Sequence, residues 1–349
     1  MHIHYLFSFW EYYSIPRAIS QYKMCLFAPF CQKCTETGGK KDAIWLFFAA
    51  GIWYSSGRKG GGVMEKRPRP GRRVWLLPAA AMLLGAAWFE NFTLSCTALT
   101  ARSRALPPAF DGLRIVQLSD LHGREFGAQS QRLLARVRAQ EPDLIALTGD
   151  LADEYTDVSM LRPLLEGLTA LAPVFYVTGN HEWVLARRER QALFALLDET
   201  GVVRLQNEYR RLQKNGASIA VAGVDDRNGP YDKKTPQQLV REIRAAEGED
   251  AYILMLSHRN DELTQWTQLG VQTVLCGHGH GGIVRLPVLG GVFGTHHDLF
   301  PDEDAGLYTA GETSMIVSRG LGGSRKLPLR IGNRPEIVTV VLKTESGNI

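Results

Sequence analysis

An α/β fold is predicted by three features of the 349-residue sequence. Short apolar, β-branched runs alternate with amphipathic stretches; the amphipathic stretches stop at Pro or Gly; and Asp- and His-bearing blocks follow directly after the apolar runs. Phe92-Thr-Leu-Ser-Cys-Thr-Ala-Leu99 reads as a first strand, followed by Arg114-Ile-Val-Gln-Leu-Ser119 and Asp143-Leu-Ile-Ala-Leu-Thr148 as buried strands. Leu133, Leu134 and Val137 share one face of a helix that ends before Pro142. Leu161, Leu164, Leu165 and Leu168 do the same before Pro173, and Leu193, Phe194 and Leu197 mark a third helix ended by Gly201. Strand–helix–strand order of this kind implies parallel strands with crossover helices. From Val203 to Val224 the period shortens to alternating strands around Asn215-Gly216, a type I′ hairpin signal. Leu239 and Ile243 give another helix, Ala251–Leu256 and Gln272–Cys276 read as buried strands, and Glu336–Leu342 as a closing strand. No second soluble domain is indicated.

Five of the nine histidines fall in five short blocks at the ends of these runs: Asp120-Leu-His122, Gly149-Asp150-Leu-Ala-Asp153, Gly179-Asn180-His181-Glu182, Ser257-His258 and Gly277-His278-Gly-His280. Loops at the carboxyl ends of strands are where open α/β proteins place their chemistry. A single Asp-x-His pair is most often a surface turn, and a lone buried His most often a satisfied core group. Five blocks in order are a different observation. Carboxylate and imidazole together suit borderline divalent ions, and a pair of such ions about 3.5–4 Å apart can bind a phosphoryl group and activate a water. Residues two apart in an extended segment point to one side, so Asp120/His122 and His278/His280 can each present two side chains to one site. Glycines 277, 279, 281 and 282 let the backbone pass close by.

The ordered set D-x-H, G-D-x-x-D, G-N-H-E, S-H and G-H-x-H resembles the signature of the calcineurin-like metallophosphoesterases, from about Glu90 to the C-terminus. Asp111–His122, Gly281–Pro287, Ser318–Gly322 and Asn333–Glu336 resemble a narrower group of bacterial membrane-anchored phosphoesterases, some of which hydrolyse UDP-diacylglucosamine. Gly279 stands where the family often has Thr and Ile283 where the group often has Gln; neither is a ligand position. The resemblance implies a four-layer αββα metallophosphoesterase sandwich. It further implies that Asp120, His122, Asp150 and His280 hold one divalent ion (Mn, Fe or Zn), and that Asp150, Asn180, His258 and His278 hold a second, Asp150 bridging. His181 is implied as the catalytic group at the leaving oxygen, with Asp153 and Glu182 orienting ligands. His296-His297 reads as a solvated or substrate-facing loop rather than a third metal site. Arg285, Arg319 and Arg334 are candidates for gripping phosphate, a structural ion pair being the alternative for each. Trp183 and Trp266 read as packing residues.

The chain carries 40 Lys/Arg and 36 Asp/Glu; residues 1–63 hold seven and three, residues 64–73 five and one, so the remainder holds 28 and 32, a net −4. A mildly acidic domain argues against nucleic acid as its partner. Lys66, Arg67, Arg69, Arg72 and Arg73 precede an apolar run, Val74–Phe89, interrupted by Pro78 and Gly85. Basic flank plus apolar core over 64–89 reads as a signal-anchor with the following domain on the extracytoplasmic side, although the run is short of the ~20 residues of a full span; a buried N-terminal helix is the alternative. Arg72-Arg73 forms an incomplete twin-arginine pattern. Residues 1–63 hold Cys25, Cys31 and Cys34 and show no clear period; Cys31-Gln-Lys-Cys34 has zinc-like spacing but no second pair follows. This stretch reads as a mis-annotated extension ahead of a start at Met64, leaving residues 90–349 as the metallophosphoesterase domain. Cys96 and Cys276 make no disulfide framework.

The function classes are therefore a metal-dependent phosphodiesterase acting on a membrane or cell-envelope, lipid-linked substrate; a generic phosphomonoesterase or nucleotide hydrolase using the same residues; and a non-catalytic scaffold. The third is disfavoured because all seven ligand candidates and His181 are present.

Overall fold

The computed structural model describes residues 76–282, 284–294, 299–323 and 330–345. The expectations for residues 1–63, the basic cluster Lys66–Arg73, the start at Met64, Ile283 and His296-His297 fall outside the described residues.

The first sheet contains β1 (Ser95–Ser103), β2 (Arg114–Leu118), β3 (Leu144–Thr148), β4 (Val174–Val177), β5 (Val203–Arg204) and β14 (Glu336–Thr344), in the order β1-β14-β2-β3-β4-β5. The second contains β6 (Glu208–Lys214), β7 (Ala217–Gly223), β8 (Ile253–Leu256), β9 (Thr273–Cys276), β12 (Gly306–Ala310) and β13 (Thr313–Val317), in the order β12-β13-β9-β8-β7-β6. β10 (Arg285–Leu286) and β11 (Gly290–Gly291) form a separate hairpin. The helices are α1 (Leu76–Phe92), α2 (Gln131–Arg138), α3 (Arg162–Thr169), α4 (Asn180–Val184), α5 (Arg187–Glu199), α6 (Pro236–Glu247) and α7 (Leu263–Gln268).

Strand periodicity sorts the apolar residues into three layers of core. Val116, Leu118, Ile145, Leu147 and Tyr176 pack with Leu133, Leu164, Leu168 and Leu197 of the helices outside the first sheet. Their strand neighbours Ile115, Leu144, Ala146 and Phe175 point the other way, against Val221, Leu254, Leu275 and Ile316 of the second sheet. Ala220, Met255, Val274 and Met315 then face Leu239, Ile243 and Trp266. The result is the four-layer αββα sandwich. Strands buried on both faces explain why β2, β3 and β4 read as nearly continuous apolar runs. A polar tie in the core crosses between the sheets: Gln117 Nε2 donates to Thr148 Oγ1 at 3.0 Å and to the Cys276 carbonyl at 2.8 Å.

β2 through β5 are mutually parallel, as are β7, β8, β9 and β13. At the hairpin, Asn215 and Gly216 both have positive φ, 49° and 79°, which is the type I′ geometry. The expected first strand is corrected. α1 continues through Phe92, with Asn91 Nδ2 donating to Ala87 O at 2.7 Å, and β1 starts only at Ser95, paired in parallel with β14 from Glu336. β14 lies inside the sheet, antiparallel to β2 on its other side. The signal-anchor expectation meets a 17-residue helix: among the described residues, none is long and apolar enough to cross a membrane.

Candidate metal centre

Every candidate side chain follows a strand end. Asp120 and His122 come after β2, Asp150 after β3, Asn180 opens α4 after β4, His258 follows β8, and His278 and His280 follow β9. Backbone bonds tie these loops together: the Asp120 N–H to Gly149 O, His122 N–H to Asp150 O and Gly277 N–H to His258 O, each at 3.0 Å. The Asp120 carboxylate accepts the His278 N–H at 3.1 and 3.2 Å, joining the loop after β2 to that after β9. A Cβ on Gly277 would overlap Ser119 and Asp120, so this approach requires glycine.

The extended-segment rationale for the paired ligands does not hold. Asp120, His122, Asp150, His278 and His280 all have left-handed backbones, with φ of 51°, 49°, 53°, 64° and 47°. Such conformations cost about 1–3 kcal/mol each at non-glycine residues and cluster at functional sites. The tight turns, not pleating, direct both members of each pair into the centre.

Atoms of Asp120, His122, Asp150 and His280 lie within 4.8 Å of one another, as do those of Asp150, His258 and His278, so Asp150 belongs to both groups. His258 Nδ1 donates to the Thr148 carbonyl at 2.8 Å, which fixes the ring. Its Nε2 then faces Asp150 Oδ2 at 3.2 Å and Asn180 Oδ1 at 3.1 Å. Lone pairs on three atoms converge there, and only a cation, a proton or a metal, reconciles them. His122 Nε2 and His280 Nε2 stand 3.3 Å apart, with Asp150 Oδ2 3.8 Å from the former and Asp120 Oδ1 3.6 Å from the latter. This donor set fits divalent ions.

The electrostatics agree with that fit. Burial pushes His122 down to about 4 and His280 to about 3, so both rings are neutral at pH 7, as a metal ligand must be. Burial also opposes charge on His258, yet Asp150, through charge and hydrogen bond, raises it to about 10. Burial opposes ionisation of Asp150 as well, but His258 and His122 hold its carboxyl well below the usual range. Asp120 is pushed up by burial, with the Asp150 charge adding to it against His258.

His181 joins neither group. Its backbone N–H donates to Asp150 Oδ1 at 2.9 Å, its ring stands edge-on to His122 with centroids 4.7 Å apart, and its side chain remains about a third exposed. That places an imidazole at the open side of the centre. Glu182 does not orient a histidine. Its buried carboxylate accepts the backbone N–H groups of Asp150, Leu151, Ala152 and Gly179, and burial plus the Asp150 charge pushes it up to about 7. Asp153 closes its own turn by accepting from Tyr155 N and Thr156 Oγ1.

The three candidate phosphate-gripping arginines are engaged elsewhere. Arg285 pairs with Asp304 at 2.9 Å, Arg319 with Glu336 at 2.8 Å, and Arg334 Nη2 bonds the Leu94 carbonyl at 2.9 Å. The sequence reading missed Asp226 and Arg259. Buried Arg259 forms a two-pronged pair with Asp226 (2.6 and 3.2 Å), and its Nη1 lies 2.9 Å from His278 Nε2. Both follow strands β7 and β8, so the strand-end rule that found the histidines could have found them. Trp266 is buried and Trp183 packs against Phe194, both as expected.

Fold and centre together define a metallohydrolase-type α/β sandwich whose clustered Asp and His residues can hold metal. The profile of the calcineurin-like phosphoesterases matches residues 113–282. The metallophosphoesterase YkuE of Bacillus subtilis (strain 168) is 30% identical over 281 residues, 77% of this chain and 94% of that protein. The chain belongs to the calcineurin-like phosphoesterase family. The phosphodiesterase YaeI of Escherichia coli (strain K12) is 29% identical over 66% of this chain and 82% of its own length. A "transmembrane protein with metallophosphoesterase domain" of Danio rerio is 30% identical over 68% of this chain but 55% of its own.

Proposed function

We propose that this protein is a two-metal phosphodiesterase acting on a lipid-linked or cell-envelope phosphodiester. The observation that carries the reading is the convergence of seven ligand-type side chains on two overlapping groups that share Asp150. Asp120, His122, Asp150 and His280 hold one ion; Asp150, Asn180, His258 and His278 hold the other. The ions are Mn, Fe or Zn, and when bound they supply Lewis acidity and an activated water. Asp120 and Glu182 position the loops through backbone N–H groups, and His181, on the open side, serves the leaving oxygen. The diester preference is supported by the relative named a phosphodiesterase. α1, preceded by Lys66–Arg73, is the membrane attachment, a reading supported by the relatives named transmembrane proteins.

The test uses the full chain in detergent, metal-stripped and reloaded with each ion, against aryl phosphomonoesters and phosphodiesters. The diester should be turned over faster, and Asp150→Asn should lose both ions and activity by orders of magnitude. A wild-type rate in Asp150→Asn or in chelated enzyme removes the two-metal reading; faster monoester turnover replaces the diesterase with the phosphomonoesterase.

A further inference from the structure

Among the described residues, two apolar elements leave most of their side chains uncovered, and both grow from the same base beside the metal centre. In α1, six consecutive residues, Leu84-Gly-Ala-Ala-Trp-Phe89, are exposed. Six residues go more than once around a helix, so α1 presents apolar side chains on every face. An amphipathic surface helix would instead bury a stripe. The second element is the β10–β11 hairpin. From Leu286 to Phe293 it has no charged residue; Leu286, Leu289 and Phe293 are exposed, and Val288 at the tip is fully so. Val288 also has φ +71°, where Gly or Asn is favoured and a β-branched residue is an outlier. Neither the backbone conformation nor packing among the described residues accounts for a valine there.

The base is continuous. Asn91 Nδ2 donates to Arg330 O at 3.1 Å and Arg330 N–H to Asn91 Oδ1 at 2.8 Å, while the Arg334 guanidinium lies 4.5 Å from the Phe89 ring centre. The next residue, Ile331, bridges Val284 and accepts the Arg285 N–H at 2.8 Å. Two residues further, Asn333 Nδ2 donates to the carbonyl of His280 at 2.7 Å. Helix end, hairpin and metal-centre loop thus hang on one short segment, Arg330–Asn333.

We infer that the β10–β11 tip inserts into the interfacial layer of a lipid bilayer, as a second contact beside α1. This rests on the reading of α1 as the membrane attachment and adds an element to it. A bilayer is the occupant because it alone surrounds a helix that is apolar on all faces, which one flat protein surface does not. The five basic residues just before α1 complement anionic headgroups, and Trp88 is a residue type favoured at that depth. With two contacts rather than one tether, the domain keeps a fixed attitude, and the loop of His280 stays near the headgroups, where a lipid-borne phosphodiester lies.

The experiment uses the full chain reconstituted in phosphatidylcholine–phosphatidylglycerol vesicles whose phosphatidylcholine carries brominated acyl chains. In Leu289→Trp, the emission added over the unsubstituted chain should be blue-shifted and quenched about twofold by bromine, with turnover on a soluble aryl diester unchanged. The paired Val288→Asp, Leu289→Asp chain should bind vesicles about tenfold more weakly, again with unchanged turnover. Added emission quenched by aqueous iodide and not by bromolipid overturns the inference. A blue shift without vesicles, accompanied by a dimer in sedimentation, overturns it in favour of a second copy of this chain. Met82→Asp with Leu84→Asp tests α1 separately. If that chain still sediments with vesicles, the attachment role of α1 fails while a quenched Leu289→Trp keeps the hairpin contact; if it is released and the tip is not quenched, the reverse holds.

Discussion

Glu182 Oε2 accepts the backbone N–H of Asp150 at 3.0 Å, and Oε1 accepts the next, Leu151, at 2.7 Å. One buried carboxylate thereby sets the turn that aims the side chain shared by both ligand groups. Glu182 also caps α4 through Gly179 N–H at 2.7 Å, which places Asn180. Glu182→Gln replaces an acceptor oxygen with an NH2 facing N–H donors. We expect a loss of about 3 kcal/mol in urea unfolding together with reduced content of both metals. Wild-type stability and full metal content would remove the clamp from this account.

Much of this was legible in the sequence because strand burial leaves a strong mark. β2, β3, β8 and β9 are short apolar runs with Asp or His directly after them, so the order of elements and the Asp- and His-bearing blocks could both be read, while the set of seven candidate ligands, Asn180 included, came from the family resemblance. The reading failed where polar groups are buried. β13 begins Thr313-Ser314, both buried, and this polar start hid a strand that lies one in from the edge of the second sheet, between β12 and β9. The roles of Glu182 and Asp153 were misjudged for a related reason: Glu182 is held by backbone N–H groups and Asp153 by the Tyr155 N–H and the Thr156 hydroxyl of its own turn, partners that no sequence pattern distinguishes. The left-handed backbone at five candidate ligands was not read either: Asp and His are enriched at positive φ, but most occurrences of either residue adopt ordinary backbone, so their presence alone does not locate such a turn.

Metal uptake should release a proton. Without an ion, His258 sits near 10, burial opposing its charge and Asp150 outweighing that, so it is protonated at pH 7. A ligand imidazole must be neutral, so binding expels this proton and metal affinity should rise about tenfold per pH unit between 6.5 and 10. His122 and His280, held near 4 and 3, add nothing in that window. The same shift gives the metal-free protein a pH-dependent stability. A folded value above the unfolded 6.5 stabilises fully below 6.5, and that contribution is lost as pH rises through about 10. Calorimetric titration in buffers of different ionisation enthalpy counts the protons; none released near pH 7 would contradict the His258 assignment.

His181 provides the sharpest test of chemistry, because it stands at the open side of the centre and outside both ligand groups. If its imidazole protonates the departing oxygen, His181→Ala should slow substrates with basic alkoxide leaving groups by about 10²–10⁴-fold. Nitrophenolate departs without a proton, so the same variant should lose far less on nitrophenyl diesters. Metal content should remain at the wild-type level, because the His181 N–H bond to Asp150 Oδ1 is made by the backbone and survives the substitution. Equal losses on both substrates with intact metal would assign His181 to electrostatic stabilisation of the phosphoryl transition state instead. Lost metal would place its side chain among the ligands, where no geometry here puts it.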